Sequence, residues 1–225
     1  MYKRQGIYSQ KELIREGKKL IEEGNNEFLN AKINPKEMEM MLFTSGTTSK
    51  SKVVALSHEN ICTNLMDIGS VLDVTQDDVF LSILPIHHVF ECTVGFLYPI
   101  SAGCAIVFSK GVRHFSEELK NYKITALISV PVMFEKIYQK LMKTVKEKGK
   151  LETVKKGAAI AGILNKVGID VRKKLFKEIH EGLGGELRLM VAGGAALDPK
   201  IEKGFNDMGL SLIHISEPTR PISIS

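Results

Sequence analysis

Short apolar runs alternate along this chain with longer segments of helical period. The runs at residues 40–44, 52–56, 79–84, 105–108, 126–130 and 187–191 are short, apolar and bounded by turn residues, which predicts β-strands. Between them lie amphipathic patterns. Ser57 predicts an N-cap, and Ile61, Leu65, Ile68 and Leu72 share one face of the helix after it. Residues 132–148 align Phe134, Ile137, Leu141 and Val145 in a similar stripe. Residues 169–181 align Val171, Leu175 and Ile179 and stop at Gly182. Residues 143–166 are polar, then Ala- and Gly-containing, and read as a surface excursion. Strands alternating with helices predict an α/β fold with a largely parallel sheet flanked by helices. The chain has no internal repeat and no low-complexity tract.

Composition adds bounds. With 225 residues, 44% hydrophobic and 25% charged, the chain has the balance of an ordinary soluble globular protein with a sizeable core. No apolar run approaches the roughly 20 residues that span a bilayer. No apolar h-region follows the first residues, so no secretory signal is expected. Cys62, Cys92 and Cys104 fit no zinc spacing and no disulfide framework. Each sits in an apolar stretch and reads as a small core residue in a reducing compartment. The formal net charge is +5, with much of the excess between Lys136 and Lys177. A basic face can meet nucleic acid or membrane. Here Glu135, Glu147, Glu152 and Glu178 are interspersed and the only aromatic residues are Tyr138 and Phe176, too few for a base-stacking surface, so a solvated helix face is the better reading and no nucleic-acid partner is expected.

The densest chemistry is the run FTSGTTSKSK at residues 43–52. Its hydroxyls and backbone N–H groups are donors suited to phosphate oxygens. Gly46 lets the backbone approach a ligand closely. Lys52 can neutralise charge on a departing phosphate group. A Ser/Thr-rich hairpin turn has the same composition, so composition alone does not separate the two readings. The Walker A pattern is absent.

The order of residues does separate them. The run resembles the signature loop of the adenylate-forming (AMP-binding) superfamily, T-S-G-[ST]-T-G-x-P-K-G. Thr44, Ser45, Gly46, Thr47, Thr48 and Lys52 match, while Ser49, Ser51 and Val53 replace Gly, Pro and Gly. Further segments support the resemblance. LPIHHVF at 84–90 is similar to the family's L-P-x-x-H segment, and TALISVP at 125–131 to its strand before a proline turn. LRLMVAGGAALDP at 187–199 is similar to its strand followed by G-G-A-x-L. The same last segment also reads as a strand-to-helix turn with Asp198 as N-cap and Pro199 at the first helical position, and both readings can hold. The basic stretch after Pro131 and the run LGG before Leu187 resemble long-chain fatty acyl-CoA synthetases, the bacterial ones most of all.

The resemblance implies a partial N-terminal domain of an adenylate-forming enzyme over residues 1–209. It implies an ATP-dependent ligase that activates a fatty acid as acyl-AMP and passes it to coenzyme A, with Mg2+ bridging phosphate oxygens. Thr44, Ser45, Gly46, Thr47, Thr48 and Lys52 would meet ATP and its pyrophosphate. His88, Gly193, Gly194 and Ala195 would border the acyl and adenine pocket. His87 reads instead as a partly buried strand-end residue. Neither histidine has a sequence partner that marks a general base. The implied partners are fatty acid, ATP and coenzyme A, in the cytoplasm, with room for peripheral membrane association of the parent enzyme. A non-catalytic nucleotide-binding module, or a ligase for carrier-protein or aryl acids, would share the same loop. The family's magnesium-binding glutamate and adenylation lysine are expected beyond these residues, so the chain by itself is expected to be inactive. Residues 210–225 begin LSLIHISEPTR, which resembles the translation of a transposase adapter. They are expected to be non-native, although their apolar alternation suits a strand.

Overall fold

The computed structural model describes residues 8–44 and 52–215. Helix α1 (Gln10–Glu22) is started by a capping box between Ser9 and Glu12 and buries none of its residues. Strands β1 (Met38–Thr44) and β2 (Lys52–Ser57) pair as an antiparallel hairpin. Ser57 then caps α2 (His58–Val71) by a second capping box, here with Asn60. Leu65, Ile68 and Leu72 turn inward as the helical period predicts.

The main sheet follows. β3 (Val79–Ser82) leads into a π-helical turn (Glu91–Leu97) and α3 (Tyr98–Ser101). Next come β4 (Ala105–Phe108), α4 (Phe115–Asn121) and β5 (Ala126–Ser129). Helices α5 (Pro131–Glu147), α6 (Leu151–Lys166), α7 (Arg172–Leu175) and α8 (Lys177–Gly182) precede β6 (Leu189–Gly193). Helix α9 (Pro199–Asp207) and β7 (Ser211–Ile215) complete the order. The five strands β4-β3-β5-β6-β7 are all parallel. The chain steps from β3 outward to β4, then crosses back to β5 on the other side of β3. That reversal puts a topological switch point between β3 and β5.

Period-two alternation splits the core between the two faces of the sheet. Leu81, Leu127, Met190 and Leu212 face α4, α5, α8 and α9, while Phe80, Ala126, Leu189 and Val191 face α2 and the π-helical turn. Each large apolar side chain so buried contributes about 1.5–3 kcal/mol. The N-terminal ends of three strands are held by one polar knot. Buried Asp78 accepts from the Arg188 guanidinium, the Thr125 hydroxyl and the Thr75 N–H. Burial alone would raise the Asp78 carboxyl, but these donors outweigh it and hold its pKa below the usual value.

Some expectations change. The predicted helix over 169–181 is two short helices that break at Phe176, which has φ −105° and ψ 28°. The break lets Phe176 and Ile179 reach the core and leaves Leu175 49% exposed. Residues 143–166 are no excursion: α5 runs to Glu147, and α6 buries Ala161 and lays Gly157 against the Phe176 ring. β6 starts two residues later than predicted, and Arg188 instead serves the Asp78 knot. Cys62 is exposed rather than in the core, because it lies off the α2 stripe. Residues 211–215, inside the suspected non-native tail, take the edge position beside β6.

Candidate functional site

The C-terminal ends of parallel strands in open α/β sheets carry ligand sites because loops and helix N-termini converge there. In this chain the 84–90 segment leaves the end of β3, and the 193–197 segment leaves the end of β6. They meet at Phe90 and Gly193. A Cβ on Gly193 would stand 2.6 Å from Phe90 Cζ, so the ring occupies the space that any other residue would fill. Gly193 is buried against that ring, whereas Gly194 and Ala195 are exposed. Gly194 has φ +81° and nothing within 4 Å of an added Cβ. Two adjacent glycines thus serve different needs, close packing at 193 and a left-handed turn at 194. The Ala195 carbonyl accepts a 2.8 Å hydrogen bond from His214 Nε2. Asp198 caps α9 by accepting from the Lys200 N–H, with Pro199 at the first turn, as the sequence predicts.

His88 is exposed and lies in a turn closed by its own N–H on the Pro85 carbonyl. Its Nδ1 accepts from the Phe90 N–H at 3.3 Å. His87 is also exposed rather than half-buried, because β3 ends five residues earlier, at Ser82.

Sequence reasoning missed the group beneath this turn. Glu91 is fully buried at the start of the π-helical turn, and the Ser82 hydroxyl donates to its Oε1 at 2.5 Å. Its Oε2 has no partner among the described residues, nor has the buried Ser129 hydroxyl at the end of β5. Burial pushes the Glu91 carboxyl above its usual pKa, with the Ser82 bond opposing. Gly95 makes the space: a Cβ there would lie 2.7 Å from Glu91 Cδ. Ser82 and Glu91 are thus buried at the end of β3, and Ser129 is buried at the end of the neighbouring strand β5. The available sequence signal was a lone glutamate inside the apolar run 89–97, four residues before a glycine. Burial also raises the Cys92 and Cys104 thiols, which argues against a thiolate nucleophile at either.

The phosphate-loop expectation divides. Thr44 ends β1 and pairs in register with Lys52, which begins β2. The hairpin therefore brings the two ends of the loop together. Ser45, Gly46, Thr47 and Thr48 lie outside the described residues. Among the described residues no group of three or more His, Cys, Asp or Glu side chains could hold a metal ion. No described helix is long and apolar enough to cross a membrane.

The family described as AMP-binding enzyme matches residues 2–216 of this chain. A long-chain-fatty-acid–CoA ligase 5 from Mus musculus is 33% identical over 180 residues, covering 74% of this chain and 26% of that protein. Fatty acyl-CoA synthetase B from Dictyostelium discoideum is 29% identical over 201 residues, covering 85% of this chain and 29% of its own length. The chain thus spans little more than a quarter of these relatives. Among solved structures, ATP-bound MatB from Rhodopseudomonas palustris superposes with a TM-score of 0.58 at 20% identity, covering 83% of this chain and 30% of MatB. A malonyl-CoA ligase holding methylmalonyl-CoA and AMP gives 0.59 at 23% identity, over 83% of this chain and 34% of that one. These likenesses carry the fold.

Proposed function

The chain belongs to the AMP-binding enzyme family, and from that premise we propose that it is part of a long-chain fatty acid–CoA ligase. In the proposed reaction a fatty-acid carboxylate oxygen attacks the α-phosphorus of ATP and pyrophosphate leaves. The thiol of coenzyme A then attacks the acyl carbon and AMP leaves. Thr44, Ser45, Gly46, Thr47, Thr48 and Lys52 supply donors and positive charge to the pyrophosphate. His88, Gly194 and Ala195 border the acyl and adenine pocket, while Gly193 admits the Phe90 ring that holds the two loops together. Mg2+ would neutralise charge on the phosphates, held in part by a glutamate expected beyond residue 209. The enzyme works in the cytoplasm on small molecules, with no nucleic-acid partner and with room for peripheral membrane association of the parent enzyme.

The observation that carries this reading is the meeting of the 84–90 and 193–197 segments at the C-terminal edge of the sheet, through Phe90 and Gly193. The likeness to long-chain relatives supports a fatty acid as the acid substrate. Residues 1–209 are the native part of the AMP-binding domain in this proposal, and 210–225 are adapter-derived. The test is to sequence intact genomic DNA across codon 209 and assay the extended protein. A Y-G-x-T-E run soon after Gly209, with fatty-acid-dependent ATP–pyrophosphate exchange, is the expected result. An unrelated continuation, or exchange driven only by aryl acids, would overturn it.

A further inference from the structure

A second concave site lies away from the loops just described. Helix α5 leaves the C-terminal end of β5 and is 17 residues long, about 25 Å. Its second half therefore reaches the opposite edge of the sheet, where α8 leads back into β6. Between α5, α6 and α8 opens a cleft of about 600 Å³. That is within the roughly 300–1,000 Å³ usual for small-molecule sites. Leu141, Val145, Val154, Phe176, Ile179 and Leu183 form its floor. Val145, Phe176, Ile179 and Leu183 are recessed and buried. Gly157 keeps the floor open, because a Cβ there would already stand 3.3 Å from Phe176 Cζ.

The rim has the opposite character. Lys140, Lys148, Lys150, Lys174 and Lys177 line the cleft, against one acid, Glu178. Glu178 is already shared by Lys148 and Lys150. Lys177 lies 3.7 Å from Glu181. Lys140 and Lys174 have no carboxylate within ion-pair distance among the described residues. A stem of lysine can border apolar ligand while its head stays in water beside an anion.

We propose that this cleft binds, from solution, one single-chain amphiphile with an anionic head, its tail on the Phe176–Leu183 floor and its head among Lys140 and Lys174. The apolar groups are recessed rather than protruding. A linear chain can enter such a floor, whereas a flat bilayer surface would leave it uncovered. The lysine excess selects the sign of the head group. The site is independent of the Phe90–Gly193 contact and of the proposed ligase reaction.

The test uses the 225-residue chain and dodecanoate, below its micelle concentration, by isothermal titration calorimetry at low and moderate salt. One site is expected. Binding should weaken at least about tenfold in Lys140→Glu/Lys174→Glu. Thr144→Trp, at the exposed mouth, should block it while circular dichroism stays unchanged. Dodecyltrimethylammonium should bind at least about tenfold more weakly, since its head carries the wrong sign. Lys36→Glu/Lys120→Glu, the same charge change outside the cleft, should bind dodecanoate like the parent chain. Loss of binding in Lys36→Glu/Lys120→Glu would reduce the lysine effect to net charge and overturn the proposal. So would equal affinity for the cationic amphiphile, insensitivity to both cleft variants, or no binding of dodecanoate. Binding to phosphatidylglycerol vesicles without binding to monomeric dodecanoate would overturn it in favour of a membrane surface.

Discussion

The ring of Phe90 fills the place of a side chain at Gly193, with Cζ 2.6 Å from where a Cβ would be. Two segments more than 100 residues apart in the chain are thereby held edge to edge. Gly193→Ala should force the ring aside and cost about 1–3 kcal/mol, as overpacking does. Thermal or urea unfolding checks the cost. A double-mutant cycle with Phe90→Ala should recover part of it, because the contacting pair is coupled.

Gly194 should behave differently. Its φ of +81° makes Ala unfavourable although the space around it is open. Gly194→Ala should cost about 1 kcal/mol, and Gly194→Asn less, because Asn tolerates the left-handed region. Asn at 193 should be worse than Ala there. Equal costs at the two positions would contradict the separate roles.

Glu91 gives a pH signature. Its carboxyl is raised in the folded state by burial. The neutral acid is therefore favoured by folding. Its contribution is complete below the usual carboxylate range and is lost as pH rises through the folded-state pKa. Glu91→Gln should remove that decline and keep the Ser82 hydrogen bond. Glu91→Ala should leave Ser82 without its acceptor, at about 1–3 kcal/mol. Unfolding curves measured across acid to neutral pH compare the three chains.

Asp78 should show the opposite sign. Burial works against its charge, but the bonds from Arg188, Thr125 and the Thr75 N–H lower its pKa overall. Its contribution is present above the usual carboxylate range and is lost as pH falls through the lowered value. Arg188→Ala should cost about 1–3 kcal/mol, less than a fully buried pair, because the arginine is 43% exposed. Asp78→Asn should flatten the acid-side loss. Denaturation midpoints at two pH values are sufficient to see both effects.

The proposed ligase role yields a further outcome. The 225-residue chain should show no ATP–pyrophosphate exchange by itself. In the extended protein, Lys52→Ala should lower exchange by about 100-fold or more, the scale of removing one transition-state donor. Exchange by the isolated chain, or an unaffected Lys52→Ala, would contradict the assigned roles.

Local patterns were sufficient for much of this protein. Short apolar runs bounded by turn residues located β3 to β6 within two residues, and helical stripes located α2 and α5. Residue order alone identified the family through Thr44–Thr48, Lys52 and the 84–90 and 187–199 segments. These features survive in one dimension because strand and helix periods, caps and signature loops are encoded within a few residues. The break at Phe176 was not legible, because it depends on a pocket against Gly157 in another helix. Nor was the burial of Glu91, an acid that sequence pattern alone would place in water. Only the tertiary structure decided that Gly193 packs against Phe90 while Gly194 turns the chain, and that five lysines ring an apolar cleft. The physical reason is common to all of these. Burial, close approach and electrostatic neighbourhood are set by residues distant in sequence, and they exist only after the parallel strands have brought those residues side by side.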